Sequence, residues 1–171
     1  ASARVANQCV GNPKDAPVIE ICGPGLRLRC EKTAFVALAG ATVTAELERA
    51  DLGHASLPLP MNVAARVRPS NTLTIRSVED GSRAYVAISG LQAPRVLGSA
   101  SADLGSRFLR PLEANDGLDV SWFDPDRARR DPVPVAPRTS AVRVILGPQD
   151  RHFDEAAIDA FLHADWRAGL D

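Results

Sequence analysis

Lysine is nearly missing from this chain. Of its 20 basic residues, only Lys14 and Lys32 are lysines and the rest are arginines. That skew reflects coding bias more than mechanism. An excess of one charge is missing too. The basic residues face 21 acidic ones, for a formal net charge of -1 and a pI of about 6.4. A general nucleic-acid binder would carry a basic stripe and a pI above roughly 9, so that class is excluded. No apolar run approaches the roughly 18 residues of a membrane span. No stretch has the basic, apolar, small-residue order of a secretory signal. The three cysteines, Cys9, Cys22 and Cys30, are odd in number and form no CxxC pair. They read as free thiols of a cytoplasmic chain, not as a disulfide framework. GxxxxGK[ST], HExxH, GxSxG and SxxK are all absent, which removes a nucleotide P-loop and the familiar hydrolase signatures. His54, His152 and His163 are scattered, so no metal site is expected from them.

What is present is an ordinary globular composition, with 45% hydrophobic and 24% charged residues. At 171 residues the chain can hide roughly 70% of its unfolded surface, enough for a sizeable core. Two segments carry helical spacing. Ala1 to Val10 puts Val5, Ala6, Cys9 and Val10 on one face, with Gly11 just past the end and Pro13 beyond. It opens without a capping residue, which suggests a start further upstream. Asp154 to about Ala168 begins at an N-cap aspartate, with Phe153 and Ile158 placed as a hydrophobic staple. Its expected buried stripe is Ala157, Ile158, Phe161, Leu162 and Trp166.

Between the helices the period is two. Leu26 to Cys30, Val43 to Leu47, Thr72 to Arg76 and Arg83 to Ile88 each alternate apolar with polar residues, which predicts half-buried strands. Val18 to Ile21 and Phe35 to Leu38 are short apolar runs suited to central strands. Ser121 to Phe123 and Val142 to Leu146 add two further candidates. Gly23-Pro24-Gly25, Glu79-Asp80-Gly81 and Asn115-Asp116-Gly117 mark turns. The sum is a mainly β domain, barrel or sandwich, with peripheral helices. Residues 124–138, rich in Pro, Arg and Asp, read as a flexible loop. Its Arg127, Arg129 and Arg130 could attract an anion, but Asp124, Asp126 and Asp131 cancel most of that field. Cys22 and Cys30 bracket a possible hairpin, either as a reactive pair or as small buried residues.

Three polar placements invite a chemical reading. Glu20 interrupts Val18-Ile19-Glu20-Ile21; a carboxylate there needs a partner or a polar cavity, unless it faces out from an edge strand. Arg83 and Tyr85 share the face opposite Ala84, Val86 and Ile88. A guanidinium beside a phenol suits carboxylate or carbonyl recognition, and the alternative is an ordinary solvated face. Gly147-Pro148-Gln149 closes the strand candidate Val142 to Leu146 and aims Gln149 at a strand end, where barrels open. Simple turn chemistry is the alternative.

The order of segments resembles the KipA family, also described as allophanate hydrolase subunit 2, as biotin-dependent carboxyltransferase, or as the C subunit of bacterial 5-oxoprolinase. Ala6-Asn7-Gln8-Cys9-Val10-Gly11-Asn12-Pro13 is similar to its "AN-x-x-VGNP" helix end. Ala16 to Ile21 resembles the strand that follows, and Leu38-Ala39-Gly40-Ala41 its "LxGA" turn. Gly81 to Gly90 resembles "GxRAYLAVxGG", Val96 to Ser101 resembles "VLGSxST", and Val144 to Gln149 resembles "RVxxGPQ". The matches are collinear and cover nearly the whole chain. Two positions depart from the pattern: Leu91 follows Gly90 where the family has a second glycine, and Ala102 follows Ser101 where it has Thr.

This resemblance implies a cyclophilin-like β-barrel with peripheral helices. Family members are about twice as long, so residues 1–171 are expected to be an N-terminal part. The family's partner is a KipI-type subunit (the B subunit of 5-oxoprolinase, or allophanate hydrolase subunit 1). The implied activity is that of a hydrolase subunit, opening the lactam of 5-oxoproline to glutamate with ATP. Alternatives are carboxyl transfer from biotin to urea-like amides, or a non-catalytic regulator that binds a KipI-type protein. The chain itself is expected to bind no cofactor; ATP or biotin would enter through the complex. Both chemistries act on a planar amide, so the residues to line its cleft are Arg83, Tyr85 and Gln149, followed by Glu20 and Asn7. No nucleophile or general base is assigned. The chain alone is expected to be inactive and to be completed by its own second half or by a KipI-type partner, either of which would cover its open strand edges.

Overall fold

The computed structural model describes residues 1–102, 105, 108–135 and 141–167, arranged as two compact units, Ala1–Val135 and Ala136–Asp171. The first unit opens with helix α1, Ser2–Cys9, which has no side-chain cap at its start. Its end is firmly closed. Gly11 takes a left-handed φ of 77°, and the Gly11 and Asn12 amides donate back to the Gln8 and Asn7 carbonyls. This is the paired six-to-one and five-to-two closure that a glycine past the helix end permits.

Eight strands follow in chain order: β1 Ile19–Ile21, β2 Arg27–Arg29, β3 Ala34–Gly40, β4 Val43–Arg49, β5 Ala55–Pro58, β6 Ala65–Val67, β7 Thr72–Val78 and β8 Ala84–Ile88. They form two four-stranded sheets, ordered β1-β8-β3-β6 and β2-β7-β4-β5, with every pairing antiparallel. The mainly β architecture is as the period-two segments predict. Among the described residues the two sheets share no strand pair, so the barrel is not closed there.

The alternation of each strand sends one set of side chains between the sheets. Ile19, Ile21, Val36, Leu38 and Val86 meet Val43, Leu47, Leu73 and Ile75 in one core. Each such side chain contributes about 1.5–3 kcal/mol on burial. Strand β3 is buried on both faces. Its other face carries Phe35, Ala37 and Ala39, and the two alanines with Ala87 of β8 form a smooth floor. Against it α1 packs Ala6, Cys9 and Val10, joined by Val133. The first sheet is therefore a middle layer between a helix and a second sheet.

Several sequence expectations change here. Val18 to Ile21 suits a central strand by its apolar character, yet β1 lies at the edge of its sheet. Its apolar residues are needed because the inner side faces the core, while Glu20 points out. Cys22 and Cys30 do not bracket a hairpin, because the strands beside them belong to different sheets; both are free, as is Cys9. Ser121 to Phe123 forms no strand: one bridge joins Leu91 to Val120, and the Ser121 amide reaches the Gly90 carbonyl at 2.8 Å. Strands β5 and β6 are short edge pieces without a clear alternation.

Of residues 124–138, those from 136 on lie outside the described residues. The remainder is held by backbone hydrogen bonds. Asp124 caps a 3-10 turn, Pro125–Arg127, through the Asp126 amide. The Arg129 amide satisfies the Cys9 carbonyl at the end of α1 (2.7 Å), and the Val133 amide reaches the Asn62 carbonyl (2.7 Å).

In the second unit, α2 spans Glu155–His163, with Asp154 accepting from the Ala157 amide at 2.7 Å. The expected stripe is not buried. Ile158 is half-buried, Ala157, Phe161, Leu162 and Trp166 are exposed, and Ala168 lies outside the described residues. Val142 to Leu146 is likewise exposed and forms no strand among the described residues. A strand needs a partner to satisfy its backbone, and an apolar stripe needs a second layer. The described residues of this unit supply neither within the unit.

Candidate functional site

Three of the five residues singled out from sequence meet on the outer face of the first sheet. Glu20 of β1 stands opposite Tyr85 of β8 in register. Arg83, two residues before Tyr85, points the same way by the strand period, and its Nε lies 2.9 Å from Glu20 Oε1. Arg83 Nη1 also donates to Cys22 Sγ at 3.0 Å. Burial pushes the Tyr85 phenol up, and hydrogen bonding and charge from Glu20 add to that, so Tyr85 stays a neutral donor. The side chains of Arg83 and Glu20 are 51% and 48% exposed, so this is an open polar face with a pre-oriented guanidinium.

Asn7 is placed differently. It is fully buried, and its amide nitrogen donates to the Ala16 carbonyl at 2.8 Å. Its oxygen accepts from Asn12, whose amide nitrogen also reaches the Ile88 carbonyl (2.9 Å) while its oxygen accepts from the Gly90 amide (3.0 Å). The two asparagines thus tie the end of α1 to the end of β8. Gln149 belongs to the second unit, where it is exposed and precedes the 3-10 turn Asp150–His152.

Sequence reasoning passed over a concavity beyond the end of β8. A cavity of about 490 Å³ opens between the turn after α1 and the segment after β8, and the chain around Trp122 and Arg127 forms its far wall. Two close approaches build it. A Cβ on Gly11 would come within 2.5 Å of the Arg127 Cβ, and one on Gly90 within 2.6 Å of the Ser121 carbonyl. Glycine at both positions lets the far wall close in. Gly11-Asn12-Pro13 and Gly90 both stand in segments that resemble the family motifs, and that is the one sequence signal for this place. Among the described residues, no group of three or more His, Cys, Asp or Glu could hold a metal ion. No helix of the described residues is long and apolar enough to cross a membrane.

Two antiparallel sheets, a helix packed on one of them and a cavity at a strand end define a mainly β domain. The chain belongs to the family described as carboxyltransferase domain, subdomain A and B, which it matches over residues 1–170. It is 31% identical over 169 residues to the C subunit of 5-oxoprolinase from Escherichia coli, covering 96% of this chain and 52% of that protein. It is 33% identical over 185 aligned positions to urea amidolyase of Saccharomyces cerevisiae, covering 97% of this chain and 10% of the other. A crystal structure of TTHA0988 superposes with a TM-score of 0.77 at 34% identity, over 93% of this chain and 31% of that one. The chain therefore spans about half the length of the bacterial relative and a small part of the fungal one.

Proposed function

We propose that this chain is part of a subunit of a 5-oxoprolinase-type complex, which opens the lactam of 5-oxoproline to glutamate with ATP. The likeness to the C subunit of 5-oxoprolinase along nearly the whole chain carries the reading. A KipI-type protein is the proposed partner, and ATP is handled elsewhere in the complex, since no phosphate-binding loop is present in this sequence. On attack at a lactam carbonyl, negative charge gathers on its oxygen, and donors fixed beforehand stabilise it. Arg83 and Tyr85 are the proposed donors. Glu20 orients Arg83, and Asn7 supports α1 behind the sheet. The test is reconstitution of the complex with its partners and ATP, with glutamate release as the readout. Turnover should require this chain, and Arg83→Gln should lower it by about 10²-fold, the scale of one lost charge-stabilising donor. Equal turnover without the chain would sink the reading.

The match to urea amidolyase favours a second reading, carboxyl transfer to urea. Biotin would then be the carboxyl donor brought to this domain. Urea-dependent consumption of carboxylated biotin by the complex, with no glutamate release from 5-oxoproline, would decide for it.

A further inference from the structure

We propose that the free edge of β2 is a docking site for an extended acidic segment of another protein, which adds to the second sheet as a further strand. The two sheets have four edges, β1, β6, β2 and β5, and three of them are covered or blunted. On β1 the Glu20 charge is neutralised by Arg83 of the neighbouring strand. Beside β6 the Ala64 amide is taken by the Arg129 carbonyl at 3.1 Å. Next to β5 the Leu59 amide bonds to the Ala45 carbonyl of β4, so by alternation Pro58 faces outward, and proline has no N–H to offer a new strand.

Strand β2 differs in backbone, charge and packing. The Ile75 amide donates to the Leu26 carbonyl at 2.9 Å, and the Cys30 amide to the Asn71 carbonyl at 2.8 Å. Bonded positions alternate in an antiparallel pair, so the N–H and C=O groups of Arg27 and Arg29 point away from β7. Both arginine side chains are exposed on one face, about 6.8 Å apart along the strand. Among the described residues neither guanidinium has a hydrogen bond or ion pair. The arginines of the neighbouring strands are neutralised, Arg76 by Glu46 at 2.9 Å and Arg49 by Asp51 at 2.6 Å. Glu31 and Lys32 follow β2 and offset each other, so the edge keeps the charge of its two arginines. On the inner side, Leu26, Leu28 and Cys30 pack on the core but are only half-buried, whereas Ile19 and Ile21 of edge strand β1 are buried. Charge alone would merely guard an edge. The open apolar row gives an added strand something to bury.

These features specify the partner. Residues paired with Arg27 and Arg29 carry their side chains on the same face, where carboxylates meet the guanidinium forks. The residue between them turns inward beside Leu28 and must be apolar. The pattern is acidic–apolar–acidic in an extended chain, held by backbone hydrogen bonds as in strand addition to other sheets. Arg83 lies on the other sheet, so this docking edge does not depend on the reaction proposed above.

The probe is a synthetic peptide of alternating glutamate and valine, titrated into the full natural protein by calorimetry. Amide hydrogen exchange of Arg27 and Arg29 is followed by NMR. Saturable binding is expected, with slower exchange at both amides. A peptide of alternating lysine and valine should not bind. Methylating the glutamate backbone nitrogens, which face β2, should abolish binding. Methylating the valine nitrogens, which face away, should leave it. Arg27→Gln combined with Arg29→Gln should weaken binding about tenfold at low salt, the scale of two cross-strand charge pairs. Arg27→Lys combined with Arg29→Lys should keep most of it. Absence of saturable heat overturns the docking edge. So does equal affinity for the lysine peptide, or for the peptide methylated at glutamate. Slow exchange at Arg27 and Arg29 before any peptide is added would mean that the protein's own chain fills the edge. A dimer in sedimentation that Arg27→Gln combined with Arg29→Gln dissolves would mean that a second copy fills it. Either result overturns the assignment to another protein.

Discussion

Arg110 grips Asp116 with both terminal nitrogens at 2.8 Å, and the Glu113 amide donates to the same carboxylate at 2.8 Å. These bonds, Arg110 first, pull the Asp116 carboxyl down to about 2. Asp51 is held still lower by Arg49 and then Asn71. A depressed folded value means the stabilisation is complete above the unfolded value near 4 and fades as pH falls toward the folded one. A carboxyl-detected NMR titration should therefore place the Asp116 midpoint at about 2, and Arg110→Gln should return it toward the ordinary carboxylate range. The Glu20–Arg83 ion pair is about half in water. Glu20→Gln should cost less than about 1 kcal/mol in urea denaturation, the usual scale of an exposed ion pair. A larger loss would mean that Glu20 does more than orient Arg83. None of these partners is legible in the sequence. Strands β2 to β7 lie between Glu20 and Arg83 along the chain, and only the pairing of β1 with β8 brings them together.

At the scale of elements, α1 reads well because its terminator is local. Gly11 and Pro13 mark the stop, and the structure ends the helix at Cys9. The strands β3, β4, β7 and β8 read well for the same reason: alternation is a local signal of a two-sided surface. Strands β5 and β6 escape because an edge strand of three or four residues has little alternation to show. The strand expected at Val142 to Leu146 fails for the opposite reason, as apolar character does not supply a pairing partner. Two predictions belong here. Ala87→Leu should cost about 1–3 kcal/mol or more, because its face is filled by α1 and has no room for added methyl groups. Differential scanning calorimetry should show a lowered midpoint. Asn12→Ala leaves the Gly90 amide and the Ile88 carbonyl without their side-chain partner. It should cost about 1–3 kcal/mol, read from chemical denaturation, for the Gly90 amide left unpaired, since the Ile88 carbonyl keeps the Leu91 amide at 3.2 Å. A neutral result would mean that water replaces the asparagine.

At the scale of the molecule, the two units differ in kind. The first has two cores, whereas α2 of the second has no buried residue. Nine residues of helix without a buried face are marginal in water. A synthetic peptide of residues 136–171 should therefore give a largely unfolded far-UV circular dichroism spectrum; a strongly helical one would refute this. The mainly β class was legible because composition and period act along the whole chain. The cavity was not, because its walls come from segments far apart in sequence. That same distance governs how the domain forms. Asn12 reaches the Ile88 carbonyl 76 residues away and the Gly90 amide 78 away. The apolar side of α1, made early in synthesis, thus has no complete floor until β8 has left the ribosome. Long-range pairing of this sort slows folding to milliseconds or seconds in comparable domains. During that interval the apolar side of α1 stays uncovered, the condition under which incompletely folded chains aggregate.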